Sequence, residues 1–329
     1  TELLNVTVTS DVYSRSKVTH VGFLKVHKAG STTMQNLFFR FGIKHKLNVV
    51  IPKSGNYLLK KSKAMPPKYS DHYDIFACHT VYSNAWYSAL LPKDAMRIAI
   101  IREPLDRMIS AAYYYRDVWG VGYLKNVPKA NFIHNIIQKP ETYDRAFFSR
   151  TKNSMGKDFG FSKNTAKDNT TIRNYLQQLD NEFSLVMLTE HMDESLVMMR
   201  RLLNWSISDI IYLSTNTHKH NPTLLNQSEL IQFKKTNILD YAIYEYFSVV
   251  FEEKMKALGQ DLKEEVSFVK KCLTSVYQFC QRKENINVTY VEFESSKWDT
   301  SFRITRTDCD WMNTKELAFI AKLRKMYST

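Results

Sequence analysis

A cluster of basic and hydroxyl-bearing side chains interrupts the apolar stretch Val21–Gly42 near the amino end of the chain. Lys25, His27 and Lys28 stand close together, and the turn residues 29–33 follow at once. The apolar run before the cluster predicts a buried strand, and the apolar spacing after it predicts a helix. A glycine-containing turn between a strand and a helix offers free backbone N–H groups and the positive end of the helix dipole to an anion. The cluster therefore predicts a site for phosphate or a related anion.

The residue types in this cluster suggest separate chemical tasks. Lys28 and the hydroxyls of Ser31 and Thr32 add positive charge and hydrogen-bond donors to the turn. The imidazole of His27 suits a general base near neutral pH, and Lys25 with Lys28 suits stabilisation of charge on a leaving group. The alternatives are structural: Lys25 as a strand-end residue whose ammonium reaches solvent, and His27 as a turn residue bonded to backbone.

A second candidate anion site follows the predicted strand Met96–Arg102. Arg102 ends this strand, and Ser110 lies two helical turns into the next helix, so both can face the edge where parallel strands end and ligands bind. A nucleotide kinase, the weakest alternative, would be expected to place an acidic metal ligand at such a strand end, and the Walker A spacing is missing from the first loop. We therefore expect a nucleotide with a second phosphate and no metal.

Arg107 is interpreted as a surface residue of the helix, with a phosphate contact as its alternative.

Strands and helices alternate along the first two thirds of the chain. Buried strands are predicted at 19–26, 46–52, 73–79, 96–102 and 183–191, with helices after the first, fourth and fifth. This alternation predicts an α/β fold with a central, mostly parallel sheet flanked by helices. We expect an N-terminal stem remnant at 1–18 and one domain over 19–329, helical from about 226, with polar insertions between Arg116 and the last strand that shape a substrate cleft.

Composition agrees with one basic globular domain. The chain of 329 residues has 46 Lys and Arg against 33 Asp and Glu, a formal net charge of +13, and 44% hydrophobic residues. The excess charge is spread along the chain, which indicates an anionic ligand or surface. No apolar run is long enough to span a membrane. Because the sequence starts at Thr1 without Met, we expect a processed or truncated form from which an N-terminal anchor is missing.

Sequons and cysteines indicate the secretory pathway. Five Asn-X-Ser/Thr sequons occur, at Asn5, Asn169, Asn204, Asn226 and Asn287. Of the four cysteines, Cys78 stands alone and is expected to be free and buried. Cys272, Cys280 and Cys309 lie late in the chain, where disulfide bonding among them would suit an oxidising lumen.

Two segments resemble those of a known enzyme family. "LKVHKAGSTT" resembles the 5′-phosphosulfate loop of sulfotransferases, and "RIAIIREPLDRMISAAYYY" resembles their 3′-phosphate segment. The sequence is most similar to the Golgi galactose 3-O-sulfotransferase family, which includes galactosylceramide sulfotransferase. The resemblance covers Val21 to about Gly259, and the remaining seventy or so residues match poorly. It implies a single α/β sulfotransferase domain, 3′-phosphoadenosine 5′-phosphosulfate as donor, and transfer of a sulfuryl group to a galactose 3-hydroxyl.

The resemblance also assigns residues. It implies His27 as the general base and Lys28 as the phosphosulfate-binding lysine. Arg102 and Ser110 are implied to hold the 3′-phosphate. The remaining donor-loop residues are Ala29, Gly30, Ser31, Thr32 and Thr33.

Further site candidates lie outside the two donor segments. Phe159 is a candidate for stacking on adenine, and His79, Lys157 and Asp158 are candidates for acceptor binding, with Arg150 as another cation near the site. For His79 a packed structural role is equally open.

The partners and location follow from the same resemblance. It implies a galactose-containing glycolipid or glycan as acceptor and no nucleic-acid partner. It also implies a type II membrane protein of the Golgi lumen. Self-association as a homodimer is a further expectation. Two other functions remain: a sulfotransferase acting on a glycosaminoglycan, lipid, phenol or alcohol, and a basic glycan-binding protein without turnover.

Overall fold

Four parallel strands form the central sheet of the computed structural model, which describes residues 16–59, 63–213, 223–281 and 288–328. The sheet order is β2-β1-β3-β4. Val21 of the first strand pairs with both Ile75 and Met96, so the first strand lies at the centre of the sheet. The strands are β1 (Val21–Leu24), β2 (Ile75–Phe76), β3 (Met96–Ile101) and β4 (Leu185–Leu188). The predicted α/β fold with a parallel sheet is confirmed.

One predicted strand is reduced to isolated bridges. The segment 46–52 forms a parallel bridge between Val49 and Ile75 and an antiparallel bridge between Pro52 and Ala64, although Val49, Val50 and Ile51 are all buried. Its apolar run reflects burial beside the short β2 and not membership of the sheet.

Helices surround the sheet and fill the insertions. In chain order they are α1 (Ser31–Lys44), α2 (Asn84–Leu90), α3 (Pro104–Asp117), α4 (Gly122–Lys125), α5 (Phe132–Gln138), α6 (Pro140–Tyr143), α7 (Ser154–Asp158), α8 (Asn169–Glu182), α9 (Met192–Leu203), α10 (Ile207–Ile210), α11 (Gln227–Thr236), α12 (Ile238–Gln281), α13 (Arg306–Asn313) and α14 (Glu316–Ser328). The insertion between α3 and β4 therefore contains the helices α4 to α8, in a region that the sequence predicts as polar insertions.

Helix α1 begins where the chain turns sharply after β1. Gly30, its N-cap residue, has φ of 68°, in the left-handed region that favours glycine. A Cβ atom at this position would lie 2.9 Å from Cε of Met192, so a side chain would also clash with α9. The helix then buries the predicted apolar face, including Met34, Leu37 and Phe38. Glycine is thus the residue best suited to this position, because its φ is positive and a Cβ atom would displace the end of the Met192 side chain.

A buried ion pair fastens α3 and α7 to α12. Arg107 is fully buried, and its Nε lies 3.4 Å from Oδ2 of Asp240. The other carboxylate oxygen of Asp240 accepts a hydrogen bond of 3.0 Å from the backbone N–H of Gly156. The interpretation of Arg107 as a surface residue is therefore wrong, because the guanidinium balances a carboxylate in the interior.

The carboxyl-terminal part adds an antiparallel pair of strands to the helices. Helix α12 is interrupted at Gly259, where φ is +63°. Strands β5 (Tyr290–Phe293) and β6 (Phe302–Thr305) then form a separate two-stranded sheet. A disulfide joins Cys280 at the end of α12 to Cys309 in α13. The expected bonding among the three late cysteines is confirmed.

The remaining sequence features can be placed on the same framework. Cys78 and Cys272 are buried and unbonded. Asn169 and Asn226 are exposed and Asn204 is half-buried, whereas Asn5 and Asn287 lie outside the described residues, as does most of the expected stem. None of the described helices is long and apolar enough to cross a membrane.

Candidate active site

The carboxyl ends of β1 and β3 bring the two predicted anion segments to one edge of the sheet. The two strands are adjacent and parallel, with Leu24 opposite Ala99. Lys25 follows β1 and Arg102 follows β3, so both cations leave the sheet on the same side. This is the edge at which open α/β sheets bind ligands.

A buried carboxylate fixes the orientation of His27. Nδ1 of His27 lies 2.8 Å from Oδ2 and 2.9 Å from Oδ1 of Asp158, and the backbone N–H of His27 donates to the same carboxylate at 2.8 Å. Both side chains are buried. Because a carboxylate only accepts, the network assigns the proton to Nδ1 and leaves Nε2 as an acceptor. Nε2 contacts the hydroxyl of Tyr57. The site therefore contains an oriented imidazole with its basic nitrogen facing a hydroxyl group.

The rings of His27, His79 and Tyr57 stack on one another. The ring centroids of His27 and His79 are 4.2 Å apart, and those of His79 and Tyr57 are 4.8 Å apart. Nδ1 of His79 lies 3.2 Å from the carbonyl oxygen of Lys25, and its Nε2 lies 3.1 Å from the Lys25 ammonium. Burial, reinforced by the Lys25 charge, lowers the pKa of His79 well below its usual range. His79 is therefore neutral, donating through Nδ1 and accepting through Nε2.

Lys25 is held inside the protein by partners from three segments. Its ammonium lies 3.1 Å from Oε2 of Glu316 and 3.3 Å from the hydroxyl of Thr32, in addition to the contact with His79. The side chain is 1% exposed. The alternative in which Lys25 reaches solvent is wrong. Glu316, the first residue of α14, supplies its counter-charge.

Lys28 lies between the two anion segments. Its backbone has φ of 63°, and its Nζ lies 3.8 Å from the ring centroid of Tyr114 in α3. Burial, followed by the charges of Arg102 and Lys25, lowers the pKa of Lys28 to about 8. Three cations thus crowd one small volume, which favours a polyanionic ligand.

The donor-loop residues pack as the turn requires. The Ser31 hydroxyl donates to the carbonyl of Val26, and the Ala29 carbonyl accepts from the hydroxyl of Thr189 at 3.0 Å. Among the described residues no side chain caps the N-terminus of α1, and its first turn holds no acidic residue. The positive end of α1 therefore begins in the turn that contains Lys28, with no acidic residue in its first turn to neutralise it.

Arg102 lies close enough to Lys28 for its charge to lower the pKa of that lysine. The Arg102 guanidinium is 29% exposed and 3.8 Å from Asp106, a loose contact that leaves it accessible. Ser110 is half-buried and lies one helical turn before Tyr114, so it shares the face of α3 that meets Lys28. The structure thus brings together the residues assigned to the 3′-phosphate and the phosphosulfate loop.

Three other predicted site residues behave differently. Phe159 is fully buried and pairs with Phe183 and Phe247, so its ring lies in the core and offers no exposed face to an adenine. Lys157 is exposed on α7. Asp158, assigned to acceptor binding, turns its carboxylate to His27 instead.

Two site residues carry no recognisable signal in the sequence. Tyr57 lies in an irregular segment, and its hydroxyl contacts Nε2 of His27 and lies 3.4 Å from Nη1 of Arg150. Glu316 lies in the carboxyl-terminal stretch that the predicted motifs do not include. Neither residue type nor spacing distinguishes them, so only packing reveals them.

Comparison with known proteins agrees with this geometry. The sequence profile of the galactose-3-O-sulfotransferase family matches residues 5–297. The chain belongs to this family. It is 30% identical over 261 residues to galactose-3-O-sulfotransferase 3 of Mus musculus, a match that covers 75% of this chain and 59% of that protein. It is also 27% identical over 251 residues to human galactosylceramide sulfotransferase, covering 74% of this chain.

The alignments leave parts of this chain and of its relatives unmatched. The aligned region spans about 60% of the length of several of these relatives, for example 59% of the human galactosylceramide enzyme. A longer alignment, at 25% identity to galactose-3-O-sulfotransferase 2 of Mus musculus, covers 86% of this chain and 75% of that protein. The family match ends at residue 297, so Glu316 of this family member lies beyond it.

Proposed function

We propose that the protein transfers a sulfuryl group from 3′-phosphoadenosine 5′-phosphosulfate to a hydroxyl of a galactose-containing glycolipid or glycan, at the 3-position. The observation that carries the proposal is the buried pair of Asp158 and His27. Asp158 holds Nδ1 of His27, and Nε2 contacts the hydroxyl of Tyr57. His27 directly precedes Lys28, the first cation of the predicted anion-binding turn. A base and an anion cradle built into one turn suit transfer from an anionic donor to an alcohol.

His27 acts as the general base in this proposal. Asp158 holds the proton on Nδ1, so that Nε2 takes the proton from the acceptor hydroxyl as its oxygen attacks sulfur. Asp158 also balances the imidazolium that forms. The hydroxyl of Tyr57 occupies the position at Nε2 that the acceptor hydroxyl must take.

The cations hold the donor and balance its leaving group. Lys28 and the N-terminus of α1 bind the 5′-phosphosulfate, and Lys25 stabilises charge that develops as the bond from sulfur to the phosphate oxygen breaks. Arg102 and Ser110 bind the 3′-phosphate. The donor carries the sulfuryl group and no other chemistry is required of it. We expect no metal to take part in this reaction.

The galactose acceptor rests on the names of the relatives, so the test must compare acceptors. Full-length protein is incubated with donor labelled in its sulfuryl group and with galactolipids, galactosides, glycosaminoglycans or phenols. We expect label in the galactose compounds, at the 3-hydroxyl. Label found only in another class of acceptor would change the proposed acceptor but not the mechanism. Absence of label in all four classes of acceptor would refute the proposal.

Variants test the assigned roles. We expect His27→Ala to lower kcat by about 10²–10⁴-fold, and Asp158→Asn to lower it by at least about 10²-fold because the imidazole can then adopt the wrong tautomer. His134→Ala is the matched control, since His134 also bonds a carboxylate, at 2.7 Å from Glu229, outside the site. Wild-type turnover in His27→Ala would show that another group acts as the base, whereas absence of turnover in the wild type with every acceptor would favour a binding protein.

The location follows from the same family. We place the protein in the Golgi lumen, anchored by an N-terminal segment, where the disulfide and the exposed sequons are chemically reasonable. Self-association as a homodimer stays a prediction.

A further inference from the structure

The amino edge of the central sheet, opposite the candidate active site, holds a compact group of histidines and carboxylates. His20 precedes β1 and Asp74 precedes β2, and the backbone N–H of Val21 donates to the carbonyl of Asp74 at 2.8 Å. His72 lies two residues before Asp74 in the same connection. Neighbouring parallel strands therefore start side by side and bring these three side chains together.

The distances within the group match those between ligands of one metal ion. Nε2 of His20 and Nε2 of His72 each lie 3.3 Å from the same oxygen, Oδ1 of Asp74. All three atoms lie within 4.8 Å of one another. Two ligand atoms at about 2.0–2.1 Å from a tetrahedral zinc ion are separated by about 3.3–3.4 Å. A hydrogen bond from imidazole N–H to oxygen is usually shorter, about 2.7–3.2 Å.

The outer nitrogens of both histidines lie within hydrogen-bond distance of other, exposed carboxylates. Nδ1 of His20 lies 3.0 Å from Oδ1 of Asp94, and Nδ1 of His72 lies 2.9 Å from Oδ1 of Asp71. The second oxygen of Asp74 accepts a hydrogen bond of 2.6 Å from the backbone N–H of Asn48. Carboxylates that accept from the outer nitrogen of a histidine are characteristic of metal-bound histidine, because they fix the tautomer and leave the Nε2 lone pair for the ion.

The alternative is two histidines that are each held through Nδ1 by one carboxylate, with only loose contacts of 3.3 Å from Nε2 to Asp74. The two rings meet edge to face with their centroids 5.5 Å apart. An ion between the two Nε2 atoms and Oδ1 of Asp74 gives all three atoms a partner at coordination distance.

From this geometry we infer that His20, His72 and Asp74 form a site for a divalent transition-metal cation of the zinc class. Two imidazole nitrogens and one carboxylate oxygen supply three ligands, and water completes the tetrahedron on the exposed side, where His72 is 44% accessible. The site lies at the opposite end of β1 from His27. It connects the start of β1 to the segment that leads into β2, and its role is to stabilise this edge and not to take part in sulfuryl transfer.

Metal binding to the whole protein tests the inference. The chain is freed of metal with a chelator and titrated with Zn²⁺ by calorimetry, and with Co²⁺ while the visible spectrum is recorded. We expect one equivalent to bind at this site, a tetrahedral Co²⁺ spectrum, and a rise in Tm on addition of Zn²⁺. His72→Ala removes an exposed ligand, so the variant should fold, and it should abolish the spectrum and the rise in Tm.

Two further variants separate this site from other metal-binding groups. Asp94→Ala removes only the partner of His20 Nδ1, and it should weaken Zn²⁺ binding by about 10–100-fold. His134→Ala, whose histidine bonds Glu229 outside the cluster, should change nothing. Absence of saturable Zn²⁺ binding would overturn the inference, as would binding and stabilisation that persist undiminished in His20→Ala and His72→Ala.

Discussion

Lys28 illustrates how charges crowded around one side chain set its chemistry. Burial and the neighbouring cations Arg102 and Lys25 hold its pKa at about 8 in the folded protein. Bound anion favours the ammonium form, since opposite charge stabilises the charged state of a group. Lys28 is therefore prepared to bind an anionic donor at neutral pH and to lose that ability in mildly alkaline solution.

We accordingly predict a pH-dependent affinity for the product 3′-phosphoadenosine 5′-phosphate. Affinity should be full below the pKa of Lys28 and fall by up to about tenfold for each pH unit above it, as the protonated fraction falls. Calorimetric titrations between pH 6.5 and 9.5 measure this. Lys28→Arg, which keeps its charge throughout the range, should remove the decline, and a similar decline in that variant would contradict the assignment.

Tyr57 permits a second prediction at the residue scale. Its hydroxyl contacts Nε2 of His27, where an acceptor must bind. If it only occupies that position, Tyr57→Phe should keep kcat within about threefold of the wild type, because the base remains oriented by Asp158. Steady-state kinetics with saturating donor decide the point. A fall in kcat of about 10²-fold or more would instead make the phenol a proton relay.

At the scale of elements, α14 supplies the counter-charge of a buried lysine. Lys25 is almost completely buried, and its ammonium lies 3.1 Å from Oε2 of Glu316. Oε1 of Glu316 also accepts a hydrogen bond of 3.0 Å from Asn56. A helix from the last part of the chain thus contributes to the site formed by the first strand.

Replacement of this counter-charge should have opposite effects on stability and on donor binding. We predict that Glu316→Gln lowers the free energy of unfolding by about 1.5–3 kcal/mol, the value of a hydrogen bond to a charged group. The same variant should bind 3′-phosphoadenosine 5′-phosphate more tightly, because Lys25 then lacks a competing anion. Urea denaturation and calorimetry measure the two effects. Lys322→Gln, on the exposed part of α14, is the control, and unchanged stability in Glu316→Gln would refute this role.

The disulfide between Cys280 and Cys309 is a second link between elements. It joins residues 29 positions apart and connects α12 to α13, which leads directly into α14. Loop-closure entropy gives such a bond about 3–4 kcal/mol of stabilisation. We predict a loss of this size in Cys280→Ser, measured by denaturation under non-reducing conditions. Cys309→Ser and the double variant should lose the same amount, and a larger loss in the double variant would mean that the thiols contribute independently.

On the scale of the whole molecule, the folded unit extends past the family match. Residues 298–328 contribute β6, α13 and α14, and α14 buries Phe319, Ile320 and Leu323. Burial of three such side chains is worth about 5–9 kcal/mol, comparable to the total stability of about 5–15 kcal/mol typical of a domain. We therefore expect the carboxyl-terminal segment to unfold together with the rest of the domain.

Truncation at residue 297 tests this view. We predict that the shortened chain fails to give soluble, folded protein, as judged by yield and by the loss of a cooperative thermal transition. A chain ending at residue 328 is the control, since it keeps all of α14. A folded, donor-binding fragment 1–297 would show instead that the segment is dispensable.

The sequence by itself determined the parallel α/β framework and the basic turn after β1, which is the predicted donor cradle. Lys28, Gly30 and the hydroxyl residues form one strand-turn-helix unit, and Arg102 with Ser110 forms another, so residue type and spacing reveal both. Local motifs of this kind are readable because their geometry is set within a few residues.

Only the tertiary structure decided what surrounds that cradle. Asp158 reaches His27 across 131 positions and Glu316 reaches Lys25 across 291. The histidine cluster at the amino edge likewise depends on the starts of neighbouring strands. The side chain of Phe159 lies in the core, and the neighbouring carboxylate of Asp158 contacts His27. Packing within the folded insertion, and not spacing along the chain, determines these two directions. Partners so distant in sequence meet only when the sheet and its helices are assembled.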